Sequence, residues 1–427
     1  MADREGRELA LAKLAERAKG GGPGWLLSAY TLGSGTAIAS IMAGSQYQYS
    51  LLWVNVVAMF IGVMVLSSAA YFTLSSPKRP YERFRTELHP LFAYAWAIGA
   101  LVASIIWHLP QYGLAFASIR ELFGFESTAV TQVLVGGVIV VMSTLITWQY
   151  KRGFGLVIYE GLMKLFIWIT VICLFALMWK LPIIWSEVAR GYTSFQIPDG
   201  GAIFVFSLMG AAVGINMTFL YPYSVRNKGW TAHQAGTAMK DLFIGMFFPF
   251  VIATGMLMIA AGATLYGADV DRSRITQVAH VFSPAFGETV GPVLFLLGLL
   301  AMPLATITLH MLTCGFIISE MTGAEQGGKA WKLGSLIPAI GVIGVAYPLP
   351  LWLPIPISAL GLVLIPVAYI GFAALALKDW KKPEAAPYPL RWFGMGACLV
   401  GIGIVIVVAS VRVYSYGVEF VEKFIVK

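Results

Sequence analysis

The chain has 427 residues, of which 58% are apolar and 12% are charged, and its mean hydropathy is +0.78. Soluble domains average about 45–50% apolar and about 25% charged residues, so this composition excludes a soluble protein and indicates a polytopic membrane protein. The net charge of +8 therefore bears on membrane orientation, and we expect no nucleic-acid partner.

Membrane-spanning helices need about 20 predominantly apolar residues. Eleven such runs predict an all-α membrane protein with spans at 24–43, 51–74, 91–117, 129–149, 155–180, 201–224, 241–266, 288–320, 333–349, 354–377 and 393–414. With residues 1–22 as a cytoplasmic segment, 20 of the Lys and Arg residues fall on the cytoplasmic side and eight on the external side. This excess of basic residues supports the division and places the C-terminus outside.

The first span is interrupted at its middle by Gly33-Ser34-Gly35-Thr36. Glycine is about 1 kcal/mol worse than Ala in a helix, and hydroxyl side chains bond backbone groups locally. Because an unpaired backbone group is costly in lipid, such a break is tolerated where it lines a cavity or is covered by protein. The break is typical of a transporter binding site, with a glycine surface for close helix packing as the alternative.

The sixth span contains a second set of helix-disrupting residues. Gly214 and Asn216 lie near its middle, and Pro222 crowds the carbonyl of Thr218 four residues back, so we expect a break between Gly214 and Thr218. Interrupted segments in matching positions of two inverted halves predict a transporter site between them. The expected units are inverted repeat one at 23–180 (spans 1–5), inverted repeat two at 201–377 (spans 6–10) and an appended helix at 393–414.

One pair of opposite charges lies inside a predicted span. Glu160 and Lys164 are four residues apart in the fifth span, so they are expected on one helix face. We expect a structural ion pair near the cytoplasmic end, with a transport role as the alternative because ionisable residues in membranes are often functional.

The first span and its flanks contain Gly22-Pro23-Gly24, Gly44 and the run Tyr49–Trp53, and the sixth span ends in Leu220–Ser224, LYPYS. These segments resemble the Nramp (natural resistance-associated macrophage protein) family of proton-coupled divalent-metal transporters. The first three recur at the spacing of that family's first helix, and LYPYS is similar to the family's LYLHS. The resemblance implies a five-plus-five inverted-repeat fold of the LeuT/APC type, with broken helices 1 and 6.

The sequence departs from the family pattern at its metal ligands. The family's Asp-Pro-Gly-Asn signature falls on the first break, so Gly33 replaces the metal-binding Asp and Thr36 replaces the Asn. Its Met-Pro-His-Asn falls on Gly214–Met217 when aligned from the left, although two extra residues let Met217 stand for the liganding Met instead. The acidic proton-pathway stretch of helix 3 corresponds to Trp107–Gly113, which has no carboxylate.

Neither break offers the carboxylate or imidazole that hard or borderline divalent cations prefer. Each break instead begins a half-helix whose N–H groups and positive dipole end favour an anion. We therefore expect a divergent Nramp-related secondary transporter of a small anion, such as bicarbonate, or of a small neutral solute. The expected substrate-binding residues are Gly33, Ser34, Gly35, Thr36, Gly214, Asn216, Met217 and Thr218.

The third span adds three polar residues, His108, Gln111 and Tyr112, as expected proton or cavity residues. Imidazole titrates near physiological pH, so His108 can carry a proton or donate to an anion. A hydrogen-bonded interior histidine is the alternative, and His310 in the eighth span has the same two interpretations.

Two further functions remain open on the sequence alone. A divalent metal (Mn, Fe or Mg) transporter would bind its ion through Met217, Asn216 and backbone oxygens, whereas a non-transporting sensor would bind a ligand without flux. No metallopeptidase motif or cysteine pair with zinc-site spacing occurs, so we expect no enzyme activity, no cofactor and no resident metal. The expected partners are the lipid bilayer, here a bacterial inner membrane, and a substrate coupled to H⁺ or Na⁺.

Overall fold

The computed structural model of the chain describes residues 22–150, 154–269, 278–279, 283–346 and 352–379, together with 396, 399, 400 and 403. The regular structure in these ranges is entirely helical, as predicted. The predicted helix at 393–414 and the cytoplasmic segment at 1–22 lie almost wholly outside the described residues.

The helices follow one another with short connections. In chain order they are α1 (Pro23–Thr31), α2 (Ser34–Tyr47), α3 (Leu52–Leu74), α4 (Pro80–Arg83), α5 (Pro90–Phe123), α6 (Ala129–Trp148), α7 (Phe154–Met178), α8 (Trp185–Thr193), α9 (Ala202–Ala212), α10 (Ile215–Asn227), α11 (Ala235–Leu242), α12 (Phe248–Thr264), α13 (Ser283–Phe286), α14 (Val290–Thr322), α15 (Lys329–Leu336) and α16 (Pro354–Asp379). The π-helical segments Phe84–Leu88 and Phe243–Phe247 and the 3₁₀ segments Ala232–Gln234 and Ile337–Val345 extend or join them.

Seven helical segments in the described residues are long and apolar enough to cross a membrane, or eight when the bent pair of α1 and α2 counts as one span. These segments coincide with predicted spans 1 to 8, and the 26-residue helix α16 coincides with span 10. The protein is therefore a polytopic membrane protein, as its composition indicates.

The ninth predicted span is not one continuous α-helix. The described part of 333–349 consists of the end of α15 and a nine-residue 3₁₀ segment. A Cβ atom at Gly341 would lie 2.7 Å from the Cβ of His108, and one at Gly344 would collide with the backbone carbonyl of Leu109. These glycines let the 3₁₀ segment pack directly on α5, and that close packing accompanies the departure from α-helical geometry.

The two broken spans lie at the centre of the helical assembly. In α2 every residue from Ser34 to Ser45 is buried, and α2 packs against α9, α12 and α16. The other broken span packs through α10 against α3, α5 and α14. By contrast, α6 buries few residues and exposes Val133 and Val138, as a lipid-facing helix does. A site at the breaks is thus enclosed by protein on all sides.

The N-terminus of α1 is held by Asp241 at the end of α11. The backbone N–H groups of Gly22 and Gly24 donate to Asp241 Oδ1 at 2.8 Å and Oδ2 at 2.6 Å. A Cβ atom at Gly24 would collide with the carbonyl of Asp241, so only glycine allows this approach. The carboxylate accepts from N–H groups that the helix itself leaves unpaired. The Gly-Pro-Gly segment therefore fixes the first half of the broken span.

We expect Asp241→Ala to destabilise the protein by about 1–3 kcal/mol, because two buried N–H groups lose their acceptor. Thermal unfolding in detergent measures the effect. Asp199→Ala is the matched control, since Asp199 is exposed in a loop and its loss should leave the melting temperature unchanged. Equal melting temperatures for the two variants would contradict the anchoring role.

A buried ionic cluster joins the ends of three helices away from the breaks. The fully buried guanidinium of Arg83 donates to the Phe72 carbonyl at 2.6 Å and to both carboxylate oxygens of Asp379 at 2.8 and 3.0 Å. It also donates to Glu87 at 2.9 and 3.1 Å. Burial alone would lower the pKa of Arg83, but hydrogen bonds to Glu87 and Asp379 outweigh it and raise the pKa, so the group stays charged.

The structure pairs Glu160 differently from the expectation. Its carboxylate accepts from Lys228 at 2.6 Å, whereas the ammonium of Lys164 lies over the ring of Trp25, 5.8 Å from the centroid. Lys228 follows the last residue of α10, so the ion pair links α7 to the second broken span. Glu160 is therefore ion-paired, but with a residue that follows another helix and not with Lys164 on its own.

Candidate functional site

The first break separates α1 from α2, whose axes differ by 55°. Gly33 is extended, with φ −108° and ψ −172°. Thr36 Oγ1 donates to the Thr31 carbonyl at 2.5 Å, and the Leu32 N–H bonds the Ser28 carbonyl at 3.0 Å. The hydroxyl of Thr36 therefore satisfies a backbone group that the break leaves open.

Gln111 of α5 and Thr306 of α14 fill the space beside Gly33. A Cβ atom at Gly33 would lie 2.9 Å from Thr306 Oγ1 and 3.0 Å from Gln111 Nε2. The Ser34 N–H donates to Gln111 Oε1 at 2.8 Å, which fixes the orientation of the amide because a backbone N–H can only donate. The amide nitrogen of Gln111 then faces the break and has no hydrogen-bond partner among the described residues.

The second break lies at Val213 and Gly214, between α9 and α10. It begins one residue earlier than the predicted interval, and Pro222 lies inside α10, which continues to Asn227. Thr218, at the far end of that interval, is helical: its hydroxyl donates to Ile215 at 2.5 Å and accepts from Trp96. The extended residues Val213 and Gly214, rather than the proline, therefore end the first half-helix.

Asn216 connects the second break to α14. Its Oδ1 accepts from the Met217 N–H at 3.0 Å, which directs its amide nitrogen to His310 Nδ1 at 3.3 Å. The hydroxyl of Tyr30, three residues before the first break, lies 2.9 Å from the same ring nitrogen. Thr313 donates in turn to Tyr30 at 3.2 Å. The contacts join α1, α10 and α14 in one polar network.

His108 is buried with a backbone carbonyl beside each ring nitrogen, and a neutral imidazole can donate to only one of the two. Nδ1 contacts the Pro338 carbonyl, and Nε2 lies 3.1 Å from the Ile307 carbonyl. Its ring meets those of Tyr112 and His310 edge to face, at centroid distances of 5.1 and 5.5 Å. This geometry favours the hydrogen-bonded interior histidine over a free proton carrier, and the proton role stays a prediction.

The structure thus brings together part of the expected set. Gly33, Ser34 and Gln111 meet at the first break, and Asn216 meets His310 at the second. Met217 is buried in the apolar core that both broken spans share.

Four expected residues have other contacts instead. A Cβ atom at Gly35 would lie 2.6 Å from Ser358 Oγ and 3.1 Å from the Trp107 ring, so Gly35 faces neighbouring helices. The hydroxyls of Thr36 and Thr218 bond their own chain segments. Gly214 allows the side chain of Asn216 to fold back, since a Cβ there would lie 2.5 Å from Asn216 Oδ1.

Sequence reasoning singled out His310 of α14 but missed Thr306 and Thr313 on the same helix face. Thr306, His310 and Thr313 are spaced four and three residues apart in an otherwise apolar span, which puts them on one helix face. Thr306 Oγ1 lies 3.2 Å from the Ala29 carbonyl, and Thr313 and His310 contact Tyr30. The helical spacing of these polar residues was the available signal.

The N–H groups at the half-helix starts are less free than expected. Ser34 donates to Gln111 and Met217 donates to Asn216, so two of these backbone donors are already engaged within the protein. Within the described ranges, no three His, Cys, Asp or Glu side chains are grouped as metal ligands. Cys173 and Cys314 are buried free thiols, and Cys398 lies outside those ranges.

A model of the family described as "Natural resistance-associated macrophage protein-like" matches residues 24–416. The chain belongs to the Nramp family. The divalent metal cation transporter MntH of Acidiphilium cryptum is 22% identical over 394 residues, covering 89% of this chain and 83% of that protein. The MntH of Granulibacter bethesdensis is 21% identical over 332 residues, covering 75% and 72%.

Solved structures share the fold of this Nramp protein. A mutant of the manganese transporter of Eremococcus coleocola superposes with a TM-score of 0.73 at 15% identity, over 92% of this chain and 87% of that one. Mhp1, a nucleobase-cation-symport-1 family transporter, gives 0.60 at 14% identity, over 92% and 93%. These comparisons confirm the predicted family and an all-α transporter fold, and Nramp proteins are transporters rather than enzymes.

Proposed function

We propose that this Nramp-family protein is a secondary transporter that carries a small anion, such as bicarbonate, or a small neutral solute by alternating access. The carrying observation is the amide nitrogen of Gln111, which is buried without a partner beside Gly33. Gly33 replaces the metal-binding Asp of the family pattern. The N–H donor of Gln111 therefore lies where that pattern has a carboxylate acceptor. An N–H donor attracts acceptor atoms and repels cations.

The proposal includes the finer architecture. Eleven spans would form repeats at 23–180 and 201–377 and a final helix at 393–414, in a bacterial inner membrane, with the N-terminus cytoplasmic and the C-terminus outside. The distribution of basic residues supports this orientation. The bent pair of α1 and α2 and the break between α9 and α10 support matching roles for spans 1 and 6.

Divalent metal transport is the second candidate, favoured by the names of the MntH relatives. It would use the thioether of Met217, the amide oxygen of Asn216 and backbone oxygens. The Asn216 oxygen already accepts from the Met217 N–H at 3.0 Å, which leaves only one of its two lone pairs for an ion. A neutral sulfur with neutral oxygens, and no carboxylate or imidazole among them, also forms a poor site for hard or borderline divalent cations.

Flux into proteoliposomes separates the two candidates. We expect saturable uptake of [¹⁴C]bicarbonate or [¹⁴C]formate, no saturable ⁵⁴Mn²⁺ uptake, and anion uptake that responds to an imposed H⁺ or Na⁺ gradient. Protein-free liposomes give the background. Saturable Mn²⁺ uptake that Met217→Ala abolishes would contradict the anion proposal. Binding of a ligand without flux of that ligand would indicate a sensor.

A further inference from the structure

Two buried nitrogen atoms at the breaks have no hydrogen-bond partner among the described residues. They are Nε2 of Gln111, a fully buried residue, and Nε2 of His310, which is 1% exposed. Native proteins leave few buried polar groups unpaired, so each such group calls for an explanation. The nature of the missing partner depends on whether these atoms donate or accept.

The Gln111 nitrogen can only donate. The Ser34 N–H bonds the other end of the amide at 2.8 Å, and a flipped amide would put two donors face to face. The free end is therefore the NH₂ group, which has no acceptor capacity.

The proton of His310 is placed by a chain of two contacts. Asn216 Oδ1 accepts from the Met217 N–H, so the Asn216 group that lies 3.3 Å from His310 Nδ1 is its NH₂. An NH₂ group only donates, which makes Nδ1 an acceptor and disfavours the imidazolium. A neutral imidazole that accepts at Nδ1 carries its hydrogen at Nε2, so this atom is also an unpartnered donor.

Gln111 and His310 both border the same broken span. Gln111 Nε2 lies 3.0 Å from a Cβ position at Gly33, beside Thr306. His310 lies one helical turn beyond Thr306 on α14 and contacts Tyr30, three residues before the break. The ring of His108 lies next to His310, and no side chain that hydrogen-bonds Gln111 or His310 is acidic.

We propose that Gln111 and His310 bind the substrate and that the substrate is a small oxyanion, the class that contains bicarbonate and formate. This inference rests on the proposed transport function and narrows it to ligands that accept from both donors. The half-helices α2 and α10, of 14 and 13 residues, begin at the breaks with their positive dipole ends, which favours a charged acceptor over a neutral carbonyl.

The test uses the full-length purified protein with [¹⁴C]formate and [¹⁴C]bicarbonate as probes in equilibrium binding and in proteoliposome uptake. Gln111→Glu keeps an oxygen for Ser34 but replaces the donor with a carboxylate oxygen. His310→Phe removes the donor, whereas His310→Gln keeps an acceptor towards Asn216 and a donor beyond it. Ser118→Ala is the control, because Ser118 is a buried, unpartnered hydroxyl further along α5.

Losing one donor to a charged ligand is expected to weaken apparent affinity by about 10- to 100-fold, so Gln111→Glu and His310→Phe should both show that loss. His310→Gln should stay within about fivefold of the native affinity, and Ser118→Ala should be unchanged. The donor assignment is overturned if Gln111→Glu and His310→Phe both run as monodisperse proteins with native melting temperatures and bind formate with unchanged affinity. Equal affinity for acetamide and formate would overturn the oxyanion class.

The outcomes separate this inference from the transport proposal. Native protein that takes up ⁵⁴Mn²⁺ and no anion refutes the proposed function itself. Anion uptake that persists in both donor variants refutes only the assignment of Gln111 and His310. If Gln111→Glu does not fold, the difference in formate affinity between His310→Phe and His310→Gln still tests whether an N–H donor at position 310 binds the substrate.

Discussion

Gly33→Asp is expected to reduce uptake of bicarbonate or formate at least about 100-fold without creating Mn²⁺ transport. The new carboxylate would enter the space now occupied by Gln111 Nε2 and Thr306 Oγ1, which lie 3.0 and 2.9 Å from a Cβ position there. Two unit charges of like sign about 4 Å apart repel by roughly 4 kcal/mol at an effective dielectric constant near 20. A 100-fold loss of affinity corresponds to only about 2.7 kcal/mol, so this repulsion is large enough to cause it. The aspartate would still lack the amide co-ligand of the family pattern, since Thr36 replaces that Asn and its hydroxyl is bonded to Thr31.

Gly33→Ala separates charge from crowding in this experiment. The alanine makes the same close contacts with Gln111 and Thr306 but adds no charge, so we expect a smaller loss of uptake than for the aspartate. Initial rates of [¹⁴C]bicarbonate and ⁵⁴Mn²⁺ uptake into proteoliposomes measure both variants. Native anion uptake in Gly33→Asp, or saturable Mn²⁺ uptake gained by that single change, would contradict the donor-lined site.

The sequence predicts the helices and breaks of this protein because those features depend on local chemistry. Apolar runs of about 20 residues locate the spans, and the break at Gly33 follows from glycine and hydroxyl residues in mid-membrane. The second break was placed less well, because Pro222 is accommodated inside α10 while Val213 and Gly214 are extended. A proline indicates lost hydrogen bonds but does not fix where the helix opens.

Spacing along the chain does not predict which residues of different helices contact one another. Glu160 was expected to pair with Lys164 on its own helix, yet Lys228 reaches it from the end of α10. Asp241, at the end of α11, accepts from the N–H groups at the start of α1, and spacing along the chain does not reveal this contact either. The same limit hid the partners of His310, Tyr30 and Asn216, which lie on two other helices. Polar residues at helical spacing in an apolar span show that such partners exist but not which they are.

Arg83→Met is expected to destabilise the protein by about 3–5 kcal/mol, the cost typical of removing one partner from a buried ion pair. Methionine approximates the length of the arginine stem but cannot donate to Asp379, Glu87 or the Phe72 carbonyl. The change would leave the fully buried carboxylate of Asp379 without the guanidinium that compensates it. Thermal or denaturant unfolding in detergent measures the loss.

Arg190→Met is the matched control, because Arg190 is 74% exposed and contacts Glu187 at 3.4 Å on the protein surface. Exposed pairs contribute about 0–1 kcal/mol, so this variant should unfold almost as the native protein does. The double variant Arg83→Met/Asp379→Leu removes both buried charges and should recover part of the stability lost by Arg83→Met alone. Equal losses for Arg83→Met and Arg190→Met would show that the cluster does not hold the ends of α3, α4 and α16 together.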